Sequence, residues 1–280
     1  MSGAENYTAR DSAGSGRTGF AVFVYYYPVT MKIVLIILLS FPAAAAAGTP
    51  KYSAVDGALA VPLAADNSYF RAPGTAAPDY WNLSSFYVPQ FNGSSCSAAS
   101  VVMALNALVN VRRARGDEEK NIEQQPLLEK ISGVKWKELL SEAGYEGRHG
   151  VTLEQLGLVS REALALYGGA GFSVQVTTVT GEPSELAVFR RALSGNEKNP
   201  NDIMLLHFAQ DALTGAPGGP YAHVSPVGAY DAKTRRVLVF DVDREWYEPY
   251  WAQDTQVLKA MAVKTKAFGY GGYVVLKVAK

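Results

Sequence analysis

The sequence predicts an α+β fold, in which a mainly helical first half is followed by a half rich in β-strands. Apolar residues recur at helical spacing from Cys96 to Val111, and further helical patterns cover residues 134–143, 152–168 and 183–194. Beyond residue 170, β-rich runs cover 172–178, 203–208, 222–230, 237–242 and 269–278, with turn residues between them. Helices first and strands later indicate an α+β architecture with an antiparallel sheet.

The first 48 residues carry the pattern of a secretory signal. Lys32 follows Met31, residues 33–39 are apolar, and small residues fill 43–47, in the order of a signal peptide's three regions. We therefore expect translation to begin at Met31, a signal peptide at 31–47, and export to a bacterial periplasm or to the outside. The alternative is a membrane anchor over 20–41, which has a suitable length but places Lys32 in its middle.

The rest of the chain divides into a short arm and one domain. Residues 49–79 are rich in Ala, Pro and Gly with little periodicity, so we expect an extended arm or linker there. Residues 80–280 are expected to form the catalytic domain, because 48% of the chain is hydrophobic and the periodic segments lie in this range.

Charge and cysteine content exclude several classes of function. The 26 basic and 26 acidic residues balance, so the chain lacks the basic surface that nucleic-acid binding requires. Cys96 is the single cysteine, which excludes an intrachain disulfide and a multi-thiolate metal site. We therefore expect a small-molecule substrate and no dedicated metal or cofactor site.

Cys96 has the setting of a nucleophile. It opens the predicted helix, where unpaired backbone N–H groups and the positive end of the helix dipole favour a thiolate. Gln90, six residues upstream, can donate a hydrogen bond to the oxyanion that forms when Cys96 attacks a carbonyl. The backbone N–H of Cys96 is the second predicted donor. A buried, inert thiol is the alternative interpretation.

A histidine and an aspartate complete a predicted triad. The short segment 231–234 predicts an antiparallel hairpin, which brings His223 on one strand next to Asp241 on the following one. His223 is the predicted base and Asp241 the residue that orients it. Asp243 points to the same side and is the rival for Asp241. His149 and His207 are the alternative bases.

Four segments together resemble the phytochelatin synthases over roughly residues 80–278. They are Gln90-Phe91-Asn92-Gly93-Ser94-Ser95-Cys96 with the helix after it, the loop 150–156, the strand from His223 to Tyr230, and Asp241-Val242 followed by Tyr247, Pro249, Tyr250 and Trp251. The resemblance implies a papain-like fold: a helical lobe with the nucleophile at a helix N-terminus, and a lobe built on an antiparallel sheet. It also implies attack on the Cys–Gly bond of glutathione, which leaves a γ-Glu-Cys thioester on Cys96 and releases glycine.

The same resemblance implies the rest of the reaction and the substrate site. Water then gives γ-Glu-Cys, or a second glutathione gives a phytochelatin, with cadmium or zinc entering as a metal–glutathione thiolate. The chain looks like the short bacterial type, in which hydrolysis is the more usual activity, and a homodimer is left open. The residues expected to bind substrate are Gly150, Val151, Thr152, Ser225 and Tyr230.

Three positions depart from the pattern of that family. Ser97 and Ala222 stand where the family usually has glycine, and both are expected to crowd the cleft. The family also tends to carry an arginine before its last strand, able to hold a substrate carboxylate. Here the segment 270–273 has no positive charge, so Lys264 or Lys266 is the expected substitute.

Two other functions remain open from the sequence. An exported peptidase that trims leader peptides would use the same triad and the same oxyanion glutamine, but in an open groove. A binding module that kept the cleft without its chemistry is the second alternative, since a fold does not fix a function.

Overall fold

A seven-stranded antiparallel sheet organises the part of the chain that the computed structural model describes, which is residues 50–109, 121–168 and 171–278. The strands are β1 (Val61–Pro62), β2 (Phe172–Thr178), β3 (Asp202–Ala209), β4 (Ala222–Asp231), β5 (Arg236–Val239), β6 (Tyr250–Gln253) and β7 (Gly272–Val278). They lie in the order β1-β6-β5-β4-β3-β7-β2, and each neighbouring pair is antiparallel.

Helices cover both faces of this sheet. They are α1 (Ser68–Arg71), α2 (Pro78–Ser84), α3 (Cys96–Val109), α4 (Gln124–Lys130), α5 (Trp136–Leu139), α6 (Leu153–Tyr167), α7 (Glu185–Asn196), α8 (Asp211–Thr214) and α9 (Asp254–Met261). Side chains of β3 alternate between the faces: Leu205 joins the core under α3 and α6, and Leu206 joins the core under α7 and α9. The predicted α+β class is confirmed.

Helices α3 and α6, which pack on the same face of the sheet, show why the sequence folds this way. All but the last residue of α3 are buried, so this apolar helix runs through the core rather than along the surface. Helix α6 begins with a capping box, in which the Thr152 hydroxyl accepts from Gln155 N and the Gln155 side chain accepts from Thr152 N. Capping fixes the start of α6 directly after the loop at Gly150 and Val151.

The predicted hairpin forms between β4 and β5. The Asp231 carboxylate accepts hydrogen bonds from Lys233 N and Thr234 N, which closes the turn. A register shift between Val227 and Ala229 interrupts the ladder. Gly228 lies in that shift, and a Cβ there would meet the Phe240 ring at 2.3 Å.

Three predicted elements have different bounds in the structure. The helix expected over 134–143 reduces to α5 behind a 3₁₀ turn, because Val134 and Lys135 have positive φ angles of 51° and 57°. The strand expected over 237–242 ends at Val239, because the ladder shifts beside it. The strand expected over 269–278 begins at Gly272, since Gly271 N donates to Met261 O instead of to a strand.

The segment expected as an arm or linker, 49–79, is described from Pro50 onward. There β1 pairs with β6, and the Trp251 indole donates to the carbonyl of Asp66. Asp79 and Ala77 are buried. This segment is part of the same compact unit as the chain that follows it.

The predicted signal peptide at 31–47 and the alternative anchor at 20–41 both lie outside the described residues. Within the described ranges, none of the helices combines the length and the hydropathy that crossing a membrane requires.

Candidate active site

A braced loop presents Cys96 at the start of α3. The Ser95 hydroxyl accepts hydrogen bonds from Phe91 N and Asn92 N, both at 2.9 Å, and donates to Asn92 O at 3.0 Å. The Asn92 amide donates to Leu140 O at 2.8 Å, which ties the loop to the chain after α5. Cys96 is the first residue of the helix and is 8% exposed. The loop therefore fixes the sulfur at the helix N-terminus, as the sequence predicts.

His223 and Asp241 form a buried hydrogen-bonded pair beside this sulfur. His223 Nε2 lies 2.8 Å from Asp241 Oδ1, and Asp241 is completely buried. Cys96 and His223 line the same cleft, and Cys96 contributes to the raised pKa of His223. Since Nε2 is bound to Asp241, Nδ1 is the ring nitrogen left for the thiol. The structure thus brings Cys96, His223 and Asp241 together in the order of a nucleophile, base and orienting group.

The electrostatics of the pair favour a charged imidazolium. Burial is the largest influence on His223 and opposes its charged form, but the charge and hydrogen bond of Asp241, together with Cys96, raise its pKa well above the usual value. Burial likewise opposes the charge of Asp241, yet His223 and the other hydrogen-bond donors lower the pKa of this carboxyl. A protonated His223 can then stabilise a Cys96 thiolate.

Asp241, and not Asp243, is the carboxylate bound to His223. Asp241 accepts from Gln210 Nε2 at 3.0 Å through its other oxygen, and from Asp243 N at 2.9 Å. Asp243 is only partly buried, and its neighbour Arg244 stacks on the Tyr87 ring at 4.4 Å. The backbone N–H of Asp243 therefore helps to hold the Asp241 carboxylate in place.

The segment from Tyr87 to Gln90 is joined to the segment that carries Asp241. Gln90 N donates to Val242 O at 2.9 Å, and the Tyr87 hydroxyl donates to Asp241 O. Gln90 and Cys96 line the same cleft. The Gln90 Oε1 atom is buried and has no hydrogen-bond partner among the described residues. Gln90 therefore shares the cleft with Cys96, as the predicted role of an oxyanion donor requires.

A cleft of about 1020 Å³ opens over these residues, at the upper end of the size of small-molecule sites. Gly150 and Val151, expected to bind substrate, line it together with His207 and Phe268. Ala222 also lines the cleft.

Three of the expected substrate-binding residues do not line the cleft. The Thr152 side chain caps α6, and the buried Ser225 hydroxyl accepts from Val242 N at 3.4 Å. Tyr230 lies at the far end of β4, buried in the core under α7 and α9. Its hydroxyl donates to Asp254 at 2.8 Å. Tyr230 lies seven positions beyond His223 along the strand, a distance of roughly 23 Å at about 3.3 Å per residue. The assignment of these three residues to substrate binding is therefore wrong.

Ser97 and the alternative bases also have other roles. The Ser97 hydroxyl is buried and accepts from the Trp136 indole at 3.0 Å, so it does not crowd the cleft. Burial lowers the pKa of His207 to about 4, and its Nε2 donates to Val151 O at 3.0 Å. A neutral His207 therefore holds the loop at Val151 in place. His149 also lines the cleft, but the cleft histidine that is bound to a buried carboxylate is His223.

Sequence reasoning missed Gln210, which completes the hydrogen bonds of Asp241. It lies directly after β3, on the strand next to that of His223, so a polar residue at this strand end was the available signal. Among the described residues, no group of three or more His, Cys, Asp or Glu side chains is arranged to hold a metal ion.

Comparison with known proteins identifies the family of this chain. The family model described as phytochelatin synthase matches residues 67–270, well over half of the 280 residues. The match includes the whole triad and Gln90, and it identifies the α+β fold as papain-like. A search of curated proteins found no match. On the strength of the family model, this chain belongs to the phytochelatin synthase family.

Proposed function

We propose that this enzyme cleaves the Cys–Gly bond of glutathione through a γ-Glu-Cys thioester on Cys96 and releases glycine. Membership of the phytochelatin synthase family implies, in general, an acyltransferase that moves γ-Glu-Cys units from glutathione. The observation that carries the finer proposal is the hydrogen-bonded pair of His223 and Asp241 in the cleft that Cys96 lines from a helix N-terminus.

Acylation begins with the Cys96 thiolate beside the His223 imidazolium. The sulfur attacks the carbonyl carbon of the cysteinyl residue, and the oxyanion accepts hydrogen bonds from the Gln90 amide and the Cys96 backbone N–H. The C–N bond then breaks, and His223 gives its proton to the departing amine. Glycine leaves, the γ-Glu-Cys acyl group remains on sulfur, and Asp241 holds the imidazole in the required tautomer.

Deacylation uses the now neutral His223 as a general base. It removes a proton from water or from the amine of a second glutathione as that nucleophile attacks the thioester, and Cys96 departs as the thiolate. Water yields γ-Glu-Cys, and glutathione yields a chain longer by one γ-Glu-Cys unit. We propose that both acceptors are used and that cadmium or zinc takes part as a metal–glutathione thiolate, that is, as substrate.

We propose separately that the protein is exported to the periplasm or to the outside. The basic, apolar and small-residue pattern of residues 31–47 supports export with cleavage close to Gly48. Amino-terminal sequencing of protein isolated from the native host tests it: a start close to Gly48 is the expected result, and an intact segment 1–30 would contradict it.

The test of the function is glycine release from glutathione by purified protein, with products identified by mass. The wild type should release glycine and form γ-Glu-Cys, longer oligomers or both, in a ratio that added cadmium changes. Cys96→Ser should release less than a few per cent as much, since a hydroxyl is a poorer nucleophile here. Absence of glycine release by the folded wild type would refute the proposal, as would an active Cys96→Ser variant.

A further inference from the structure

The acidic residues of the cleft do not match the charge of the proposed substrate. If the proposed function holds, the substrate is glutathione, which carries two carboxylates and one ammonium group. Asp243 and Glu245 line the cleft and repel a carboxylate. A substrate with net negative charge therefore needs a cation within reach of the cleft.

Lys51 is the one lysine or arginine that lines the cleft within the described part of the chain. It belongs to the segment before β1, far in sequence from every triad residue. Lys264 and Lys266, the substitutes expected from sequence, do not line the cleft. The Lys264 ammonium instead lies 5.0 Å from the centre of the Tyr270 ring.

Aromatic packing anchors Lys51 on the Asp241 side of the cleft. Its ammonium lies 5.8 Å from the centre of the Tyr52 ring and 6.0 Å from that of Tyr247. The Tyr52 ring packs against Tyr247 and Tyr250, with centroids 5.5 and 5.7 Å apart. The Tyr247 backbone N–H donates to Asp243 O at 2.8 Å, which joins this aromatic cluster to the segment that carries Asp241.

The leaving glycine must lie on this same side. His223 protonates the glycine amine, so the amine is next to His223, which is bound to Asp241. The carboxylate of a single residue lies within about 3.6 Å of its own nitrogen, the length of one extended residue. The glycine carboxylate is thus confined to the neighbourhood of His223, while the γ-Glu carboxylate lies a whole γ-Glu-Cys unit further away.

Lys51 can exchange its present partner for a substrate. It forms an ion pair with Glu248, in which the two side chains are 45% and 37% exposed. Exposed ion pairs contribute little to stability, so a substrate carboxylate can take the place of Glu248 at small cost. The flexible four-carbon stem of lysine lets the ammonium follow the ligand.

We propose that Lys51 binds the glycine carboxylate of glutathione, so that the segment before β1 completes the substrate site and makes the enzyme selective for a free C-terminal glycine. Lys51 is a specificity residue on the leaving-group side and takes no part in proton transfer. Its removal therefore weakens substrate binding and leaves the chemical step in place.

The experiment compares Lys51→Gln, Lys51→Arg and the matched control Lys259→Gln in glycine-release kinetics. Lys259 is exposed, pairs with Asp56 and does not line the cleft. Each protein is assayed with glutathione, with a form whose glycine carboxylate is an amide, and with a form whose γ-Glu carboxylate is an amide. Release of glycine or glycinamide is measured, and thermal unfolding verifies that each variant is folded.

We expect Lys51→Gln to raise KM for glutathione by about fivefold to tenfold with kcat changed less than about twofold, the size expected when a hydrogen bond from a charged donor is replaced by one from a neutral donor. Lys51→Arg and Lys259→Gln should stay within about twofold of the wild type. With the glycine amide, the difference between Lys51→Gln and the wild type should vanish. It should persist with the γ-Glu amide.

An unchanged KM in Lys51→Gln would overturn the proposal, and so would a penalty that persists with the glycine amide. A penalty that vanishes only with the γ-Glu amide would assign Lys51 to the other carboxylate and refute the glycine assignment. The proposed function fails separately: it is refuted if the wild type releases no glycine from glutathione, whatever the variants do.

Discussion

Replacing Asp241 by asparagine should slow turnover at least about tenfold, whereas the same change at Asp243 should slow it less than about threefold. The Asp241 carboxylate accepts from His223 and Asp243 N through one oxygen and from Gln210 through the other. An asparagine fits with its oxygen toward His223 and its NH₂ toward Gln210, provided the Gln210 amide turns to present its oxygen. The fold is then retained, but the negative charge beside His223 is lost.

The magnitude follows from that lost charge. A hydrogen bond to a charged group contributes about 1.5–3 kcal/mol, and one between neutral groups about 0.5–1.5 kcal/mol. A difference of about 1.4 kcal/mol corresponds to a tenfold change in rate. The pH dependence has a definite sign: Asp241 raises the pKa of His223, so Asp241→Asn lowers it. Because the active pair needs protonated His223, the alkaline limb of the kcat/KM profile should move to lower pH.

The assay is glycine release by the two purified variants over a range of pH, with circular dichroism and thermal unfolding as the control for folding. Asp243 donates its backbone N–H to Asp241, and its side-chain substitution leaves that bond in place. A larger loss in Asp243→Asn than in Asp241→Asn would refute the assignment of the triad. An alkaline limb unmoved in Asp241→Asn would refute the electrostatic argument.

Three further predictions concern residues around the triad. Gln90→Ala should lower kcat by about 10²–10³-fold with little change in KM, as expected for an oxyanion donor, and a loss below about fivefold would exclude that role. Ser97→Ala should destabilise the protein by about 1–3 kcal/mol in urea unfolding, because the buried Trp136 indole N–H loses its acceptor. Glycine release per folded molecule should then stay within about twofold, and a change in activity without a change in stability would contradict the structural role. Burial holds the pKa of His207 near 4, below its unfolded value of 6.5, so the unfolded chain takes up a proton that the folded chain does not, and the free energy of unfolding should fall as pH drops from 6.5 toward 4. His207→Phe should lose less stability than the wild type between pH 7 and pH 4.5 in urea titrations, whereas an equal loss in the two proteins would contradict this cause.

Local patterns were sufficient to predict that Cys96, His223 and Asp241 lie together. The apolar period after Cys96 places that residue at the start of α3, and a short turn at Asp231 forces the antiparallel pairing that brings His223 and Asp241 together. The choice of Asp241 over Asp243 follows from burial behind an apolar run. These features depend on neighbours in sequence, or on strands joined by a tight turn.

The features that sequence did not predict depend on long-range packing. β5 ends at Val239 because the ladder shifts opposite Gly228, which no local propensity indicates. Tyr230 follows His223 on the same strand, but the strand carries it out of the cleft to Asp254. Lys51 reaches the cleft because Tyr52 packs against aromatic rings near the end of the chain, a contact that a periodic pattern does not encode.

The central claim is that Cys96 carries a γ-Glu-Cys thioester, and mass measurement of the enzyme after rapid acid quenching tests it most directly. Wild-type protein mixed with glutathione should gain the mass of one γ-Glu-Cys acyl group on the peptide that contains Cys96, and neutral hydroxylamine should convert this group to γ-Glu-Cys hydroxamate. Cys96→Ser should gain no such mass under the same quench. Glycine release by the wild type with neither the adduct nor the hydroxamate would contradict the covalent mechanism.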